Sequence, residues 1–125
     1  MRLTAHGNLY AVVRLDPDAE VPGWAGAGPI SSVTRTASEL SVVCREADVP
    51  EAASAERGWR LLEVAGPLAF TLTGVLASLV VPLAEAGITL FALSTFETDY
   101  LLVRERDLGR ACDALRGAGH TVDAP

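Results

Sequence analysis

The 125-residue chain has no lysine, and its ten arginines are outnumbered by sixteen acids, for a formal net charge of −6. Nucleic-acid binding draws on clustered cations that displace phosphate counterions, so this balance argues against nucleic acid as a direct partner. Cysteine is scarce too. Cys44 and Cys112 are too few for a disulfide framework, lack CxxC spacing and lie in apolar patterns, so both read as small buried hydrophobes. His6 and His120 stand near opposite ends with no partner at metal-ligand spacing, which predicts no zinc site and two solvated surface histidines. No cofactor is implied. The Gly23–Gly28 stretch lacks the strand–glycine–helix series of a dinucleotide site, and neither a phosphate-loop Gly-Lys-Ser/Thr nor a Gly-x-Ser-x-Gly elbow occurs. The residues alone point to no enzyme.

A membrane span is the next absence. Val64 to Ala84 carries no charge, a length close to the roughly 20 residues that cross a bilayer. Gly66-Pro67 breaks it, leaving the end of one element and a helix too short to span. The first seven residues hold no continuous apolar region of the kind a secretion signal needs, so the expected compartment is the reducing cytoplasm.

What is present is apolar: half the residues are hydrophobic, enough for one compact domain or two half-domains glued by burial. Tyr10–Leu15 reads as a strand stopped by Asp16-Pro17, followed by a loop or short irregular helix to Pro29. Ile30–Thr36 and Glu39–Arg45 read as extended runs around a turn at Ala37-Ser38, with Leu40, Val42 and Cys44 on one face. Asp48-Val-Pro50 predicts a short helix to about Glu56, stopped by Gly58.

A second series begins with a strand over Trp59–Ala65 and a loop over Gly66–Thr73. The spacing of Val75, Leu76, Leu79, Val80 and Leu83 predicts a helix over Gly74–Ala86, stopped by Gly87. Ala77, Val81 and Ala84 make its remaining faces apolar, so cover on more than one side is expected. Ile88–Leu93 and Tyr100–Arg104 form strands joined by the link Ser94–Asp99. Asp107 caps a final helix with the stripe Leu108, Ala111, Cys112, Leu115, and His120–Asp123 adds a short strand. The order is that of an α+β, ferredoxin-like βαββαβ fold.

The order occurs twice. Thr36–Val49 and Thr95–Leu108 align at an offset of 59, with Thr, Arg, Glu and Asp coinciding at Thr36/Thr95, Arg45/Arg104, Glu46/Glu105 and Asp48/Asp107. Two pseudo-repeats follow, a degenerate one over residues 1–58 and a complete one over 59–125.

One feature suggests binding. The uncharged loop Leu68–Thr73 leads into Gly74, where free backbone N–H groups and the helix dipole favour a carboxylate. The strand order puts this helix start beside the Ser94–Asp99 link, where Asp99 could hold an amine. Together they describe a site for an amino acid zwitterion. An ordinary helix start and a solvated turn acid explain the same residues.

Leu72–Leu79, Ala86–Ile88 and Leu93–Arg104 together resemble the ACT-domain subgroup of small bacterial proteins, which is similar to the cytosolic arginine sensors of animal growth signalling. The likeness is specific over Trp59–Gly119 and looser over Tyr10–Val49. It implies a βαββαβ regulatory module binding an amino acid or similar effector at an interface between paired ACT domains. It further implies ligand contacts at Leu72, Thr73, Gly74 and Val75, and at Thr95, Phe96, Thr98 and Asp99. The expected protein is a non-catalytic sensor or regulator, homodimeric, with no metal. A ligand-free dimerisation or protein-interaction module is the alternative, and an enzyme on the same scaffold a third.

Overall fold

In the computed structural model, which describes residues 1–69 and 73–124, seven strands and two helices follow one another along the chain. β1 spans Arg2–Leu15, β2 Ser32–Arg35, β3 Leu40–Arg45, β4 Ala55–Val64, β5 Leu90–Ser94, β6 Asp99–Arg104 and β7 Thr121–Asp123. α1 spans Val75–Glu85 and α2 Leu108–Gly117. The chain divides into two units, Met1–Gly7 with Arg60–Pro125, and Asn8–Trp59. β1 and β4 each contribute to both.

The first unit carries strand order β7-β1-β4-β6-β5 and both helices. Its core brings Leu79 and Leu83 of α1 and Ala111, Cys112 and Leu115 of α2 onto Leu62, Val64, Leu101 and Val103 of the sheet. This is the ferredoxin-like arrangement with one departure. In the simple fold the last strand lies beside the first strand of the unit. Here Met1–Gly7 lies between them: Arg2, Leu3 and Thr4 pair in parallel with Thr121, Val122 and Asp123, and Ala65 N–H donates to the Arg2 carbonyl at 2.8 Å. Leu3 is fully buried and Ala5 nearly so, while Arg2 and Thr4 are exposed. The division between the two units runs between Trp59 and Arg60, and Met1–Gly7 belongs with the later residues.

Two glycines at positive φ close the helices alike. Gly87 and Ile88 donate to the Ala84 and Leu83 carbonyls, and Gly119 and His120 to those of Arg116 and Leu115, each at 3.0 Å. Both ends are Schellman motifs, and Ile88 joins Leu83 in the core as that motif favours. Asp107 stands at the α2 start without a capping hydrogen bond; its Oδ1 instead accepts from Arg110 Nη1 at 3.0 Å. One face of α1 is uncovered within its unit, contrary to the expectation: Leu76 is 37% exposed and Val81 50%.

The second unit packs Ala11, Val13, Val42 and Cys44 against Ala25, which a single 3₁₀ turn at Gly23–Gly26 delivers, and Val49. Its β2–β3 hairpin repeats β5–β6 in register: Ser32 faces Val43 as Phe91 faces Leu102, each shifted by 59. The helix expected over 48–56 is absent. A 3₁₀ turn at Glu46–Asp48 leads into β4 at Ala55, and Ala53 N–H and Arg57 Nη2 both donate to the Pro50 carbonyl. Gly58 is not a helix stop. It sits inside β4 at φ +79°, its N–H held by the Glu46 carboxylate at 2.7 Å.

Candidate functional site

The link between β5 and β6 is a tied turn. Thr95 N–H and its hydroxyl both donate to the Thr98 carbonyl, at 2.9 and 3.2 Å. The corresponding Thr36 N–H donates to Glu39 at 2.9 Å, so the turn is shared by both hairpins. The link is then fastened to the segment after β4. Thr98 Oγ1 donates to the Val64 carbonyl at 2.7 Å, and Leu68 N–H to the Glu97 carbonyl at 2.6 Å. Gly66 makes this approach possible: a Cβ there would lie 3.1 Å from the Glu97 carbonyl oxygen and from Thr98 Cβ.

Beside the turn lies the start of α1. Gly74, at φ +77°, is its N-cap, with no side-chain cap and no acid in the first turn. Ser78 N–H makes the first of the ladder bonds, to the Gly74 carbonyl at 2.9 Å, so the N–H groups of Val75, Leu76 and Ala77 precede the ladder. Between helix start and turn is a concavity of about 230 Å³ lined by Leu68, Ala69, Val75 and Ser94–Asp99. Two of these residues are acids and none is basic. Ser94 Oγ donates to Asp99 Oδ1 at 2.6 Å, across the closing pair of the hairpin, and Asp99 is half-buried. Burial, and then the carboxylates of Glu63 and Glu97, push the neighbouring Tyr100 hydroxyl above its usual range.

Of the residues singled out in the sequence, Val75, Thr95, Phe96, Thr98 and Asp99 line this concavity. Thr73 and Gly74 are exposed on the approach to the helix and are not lining residues, and Leu72 lies outside the described residues. Thr98 is 8% exposed and spends its hydroxyl on Val64, so its contribution is to fix the turn. Ser94, Glu97, Leu68 and Ala69 are lining residues that the sequence did not single out as contacts. Ser94 was within reach of the sequence, because a hairpin closed at Asp99 makes it the cross-strand partner. Both histidines have partners rather than plain solvent: His6 Nε2 lies 2.9 Å from Glu63 Oε1, and His120 bonds to α1. Burial raises both cysteine thiols above their ordinary range, which suits core packing. Among the described residues no cluster of three His, Cys, Asp or Glu could hold a metal, and no helix is long and apolar enough to cross a membrane.

The sequence profile of the ACT domain matches residues 54–117, half of the chain. The chain belongs to the ACT-domain family. A further profile, that of an N-terminal domain, matches residues 8–52. A crystal structure of an Agobacterium tumefaciens protein is 38% identical and superposes at a TM-score of 0.94, covering 99% of this chain and 92% of that one. The bovine cytosolic arginine sensor for mTORC1, subunit 1, is 41% identical over 59 residues, 43% of this chain and 18% of the sensor. The chain thus spans less than a fifth of that relative's length. The regulatory subunit of aspartate kinase from Thermus thermophilus, 12% identical, shares the fold at a TM-score of 0.65 over 93% of this chain and 95% of its own. ACT membership places the chain among regulatory ligand-binding modules.

Proposed function

We propose that this ACT protein is a non-catalytic sensor that binds an amino acid in the concavity between the α1 start and the β5–β6 link. The observation that carries the reading is the uncapped first turn of α1 opening onto the same concavity as Asp99 and Glu97, with no cation among the lining residues. Free helix N–H groups accept a carboxylate. Asp99 on the other side takes the amine, and Phe96 and Leu68 offer apolar cover. The protein acts in the cytosol as a homodimer, in which the outer face of α1, with Leu76 and Val81 exposed, meets a second copy and the ligand is held where two ACT domains face each other. Regulation is then linkage: the ligand favours one docking arrangement by its difference in affinity for the two.

The exposed α1 face also suits a second reading, a ligand-free dimerisation or protein-interaction module. A thermal-shift screen of the full chain against the twenty proteinogenic amino acids separates the two. A ligand at about 100 times its Kd adds about 2.7 kcal/mol, worth several degrees in Tm for a chain of this size. The sensor reading expects such a shift from one amino acid or a few related ones. A flat screen on cooperatively unfolding protein overturns it and favours the interaction module.

A further inference from the structure

Pro82 lies inside α1 and has no N–H, so the carbonyl four residues earlier, that of Ser78, loses its helical donor. The structure replaces that donor. His120 Nε2 lies 2.9 Å from the Ser78 carbonyl oxygen. A carbonyl only accepts, so Nε2 carries the proton and Nδ1 is the acceptor, facing the Met1 nitrogen at 3.0 Å. The ring is set by the Schellman end of α2, where Gly119 at φ +96° and the bond from His120 N–H to Leu115 hold its backbone. Ser78 is in turn tied to the helix start: its N–H donates to Gly74 at 2.9 Å and its hydroxyl to the Val75 carbonyl at 2.6 Å.

We propose that His120 is a positioning residue for the effector site, supplying through Nε2–H the hydrogen bond that Pro82 cannot make and so fixing Ser78 and the first turn of α1. Its consequence for ligand rests on the amino-acid reading above; the hydrogen-bond substitution does not. A residue at the edge of the last strand thereby controls a helix start that it does not touch. Removing the ring leaves the Ser78 carbonyl to solvent and lets the Gly74–Ser78 turn loosen, whereas Pro82→Ala returns a backbone N–H to the same acceptor and makes the ring dispensable.

The test is a four-protein cycle of wild type, His120→Ala, Pro82→Ala and the double variant, read by thermal unfolding and by hydrogen exchange at the Ser78 amide. Pro82→Ala removes a helix breaker and folds, so the cycle stays interpretable. With Pro82 present, His120→Ala lowers Tm by about 3 °C or more and speeds Ser78 exchange severalfold. In the Pro82→Ala background, both effects shrink to less than about a third of that size. Equal effects in the two backgrounds overturn the proposal. Titration of the four proteins with the twenty amino acids follows the same pattern, binding weakening severalfold in His120→Ala and recovering in the double variant. A cycle that couples in stability and exchange while wild type binds none of them supports the hydrogen-bond substitution and overturns the site reading alone. Binding that is unchanged in His120→Ala overturns its positioning role.

Discussion

A fragment of residues 59–125, cut where the sequence places the domain boundary, fails to fold cooperatively, while the full chain unfolds in a single transition. The fragment lacks Met1–Gly7, and these residues do three things in the unit that they complete. They put Leu3, fully buried, and Ala5 into the core between the sheet and the two helices. They supply the strand on which β7 pairs, joining Arg2–Thr4 to Thr121–Asp123. They also accept the Ala65 N–H at the end of β4. Loss of a buried leucine alone costs about 2–5 kcal/mol, and the open ladder adds to that. Domains of this size hold about 5–15 kcal/mol in total. Circular dichroism during thermal melting reads the outcome. A sharp transition in the fragment, close to that of the full chain, would show that Met1–Gly7 is not part of the unit's structure.

Asp99→Ala weakens amino-acid binding by about 10- to 100-fold, the loss expected when a charge-assisted hydrogen bond goes from a half-buried site. The unliganded fold changes little, because this carboxylate is only half-buried and the bond that it accepts from the cross-strand Ser94 hydroxyl is an exposed one. Asp113→Ala, with a side chain 82% exposed on α2, is the matched control and leaves affinity unchanged. Calorimetric titration with the amino acid found in the screen measures both. Equal affinity in wild type and Asp99→Ala removes the carboxylate from the site.

Much of this was legible in the residues because it is locally encoded. The 3.6-residue spacing from Val75 to Leu83 and the stop at Gly87 yielded α1. The link Ser94–Asp99 yielded a hairpin, and the offset of 59 carried over to strand register. What escaped depends on distant partners. Leu3 and Ala5 are a short alternation ahead of Gly7-Asn8, too weak to announce a strand, and only β7 and β4 make it one. Asp48-Val-Pro50 looks like a helix start, yet the Pro50 carbonyl gathers Ala53 and Arg57 into a turn. At the site the helix start and the acid could be read from sequence, but Thr98 could not be told from a ligand contact. Its hydroxyl partner, the Val64 carbonyl, is 34 residues away. His120 is the sharpest case: a solvated surface residue by sequence, it fills the gap left by a proline on another element.

The most direct test of the central claim is a ¹⁵N-resolved NMR titration of the full chain with the amino acid that raises its Tm. Binding in the concavity shifts the amides of Val75–Ser78 and Ser94–Asp99 first and most, with Val75, Leu76 and Ala77 moving as their unladdered N–H groups meet a carboxylate. Shifts confined to residues 8–59, with both segments silent, would contradict it and place the effector in the other unit.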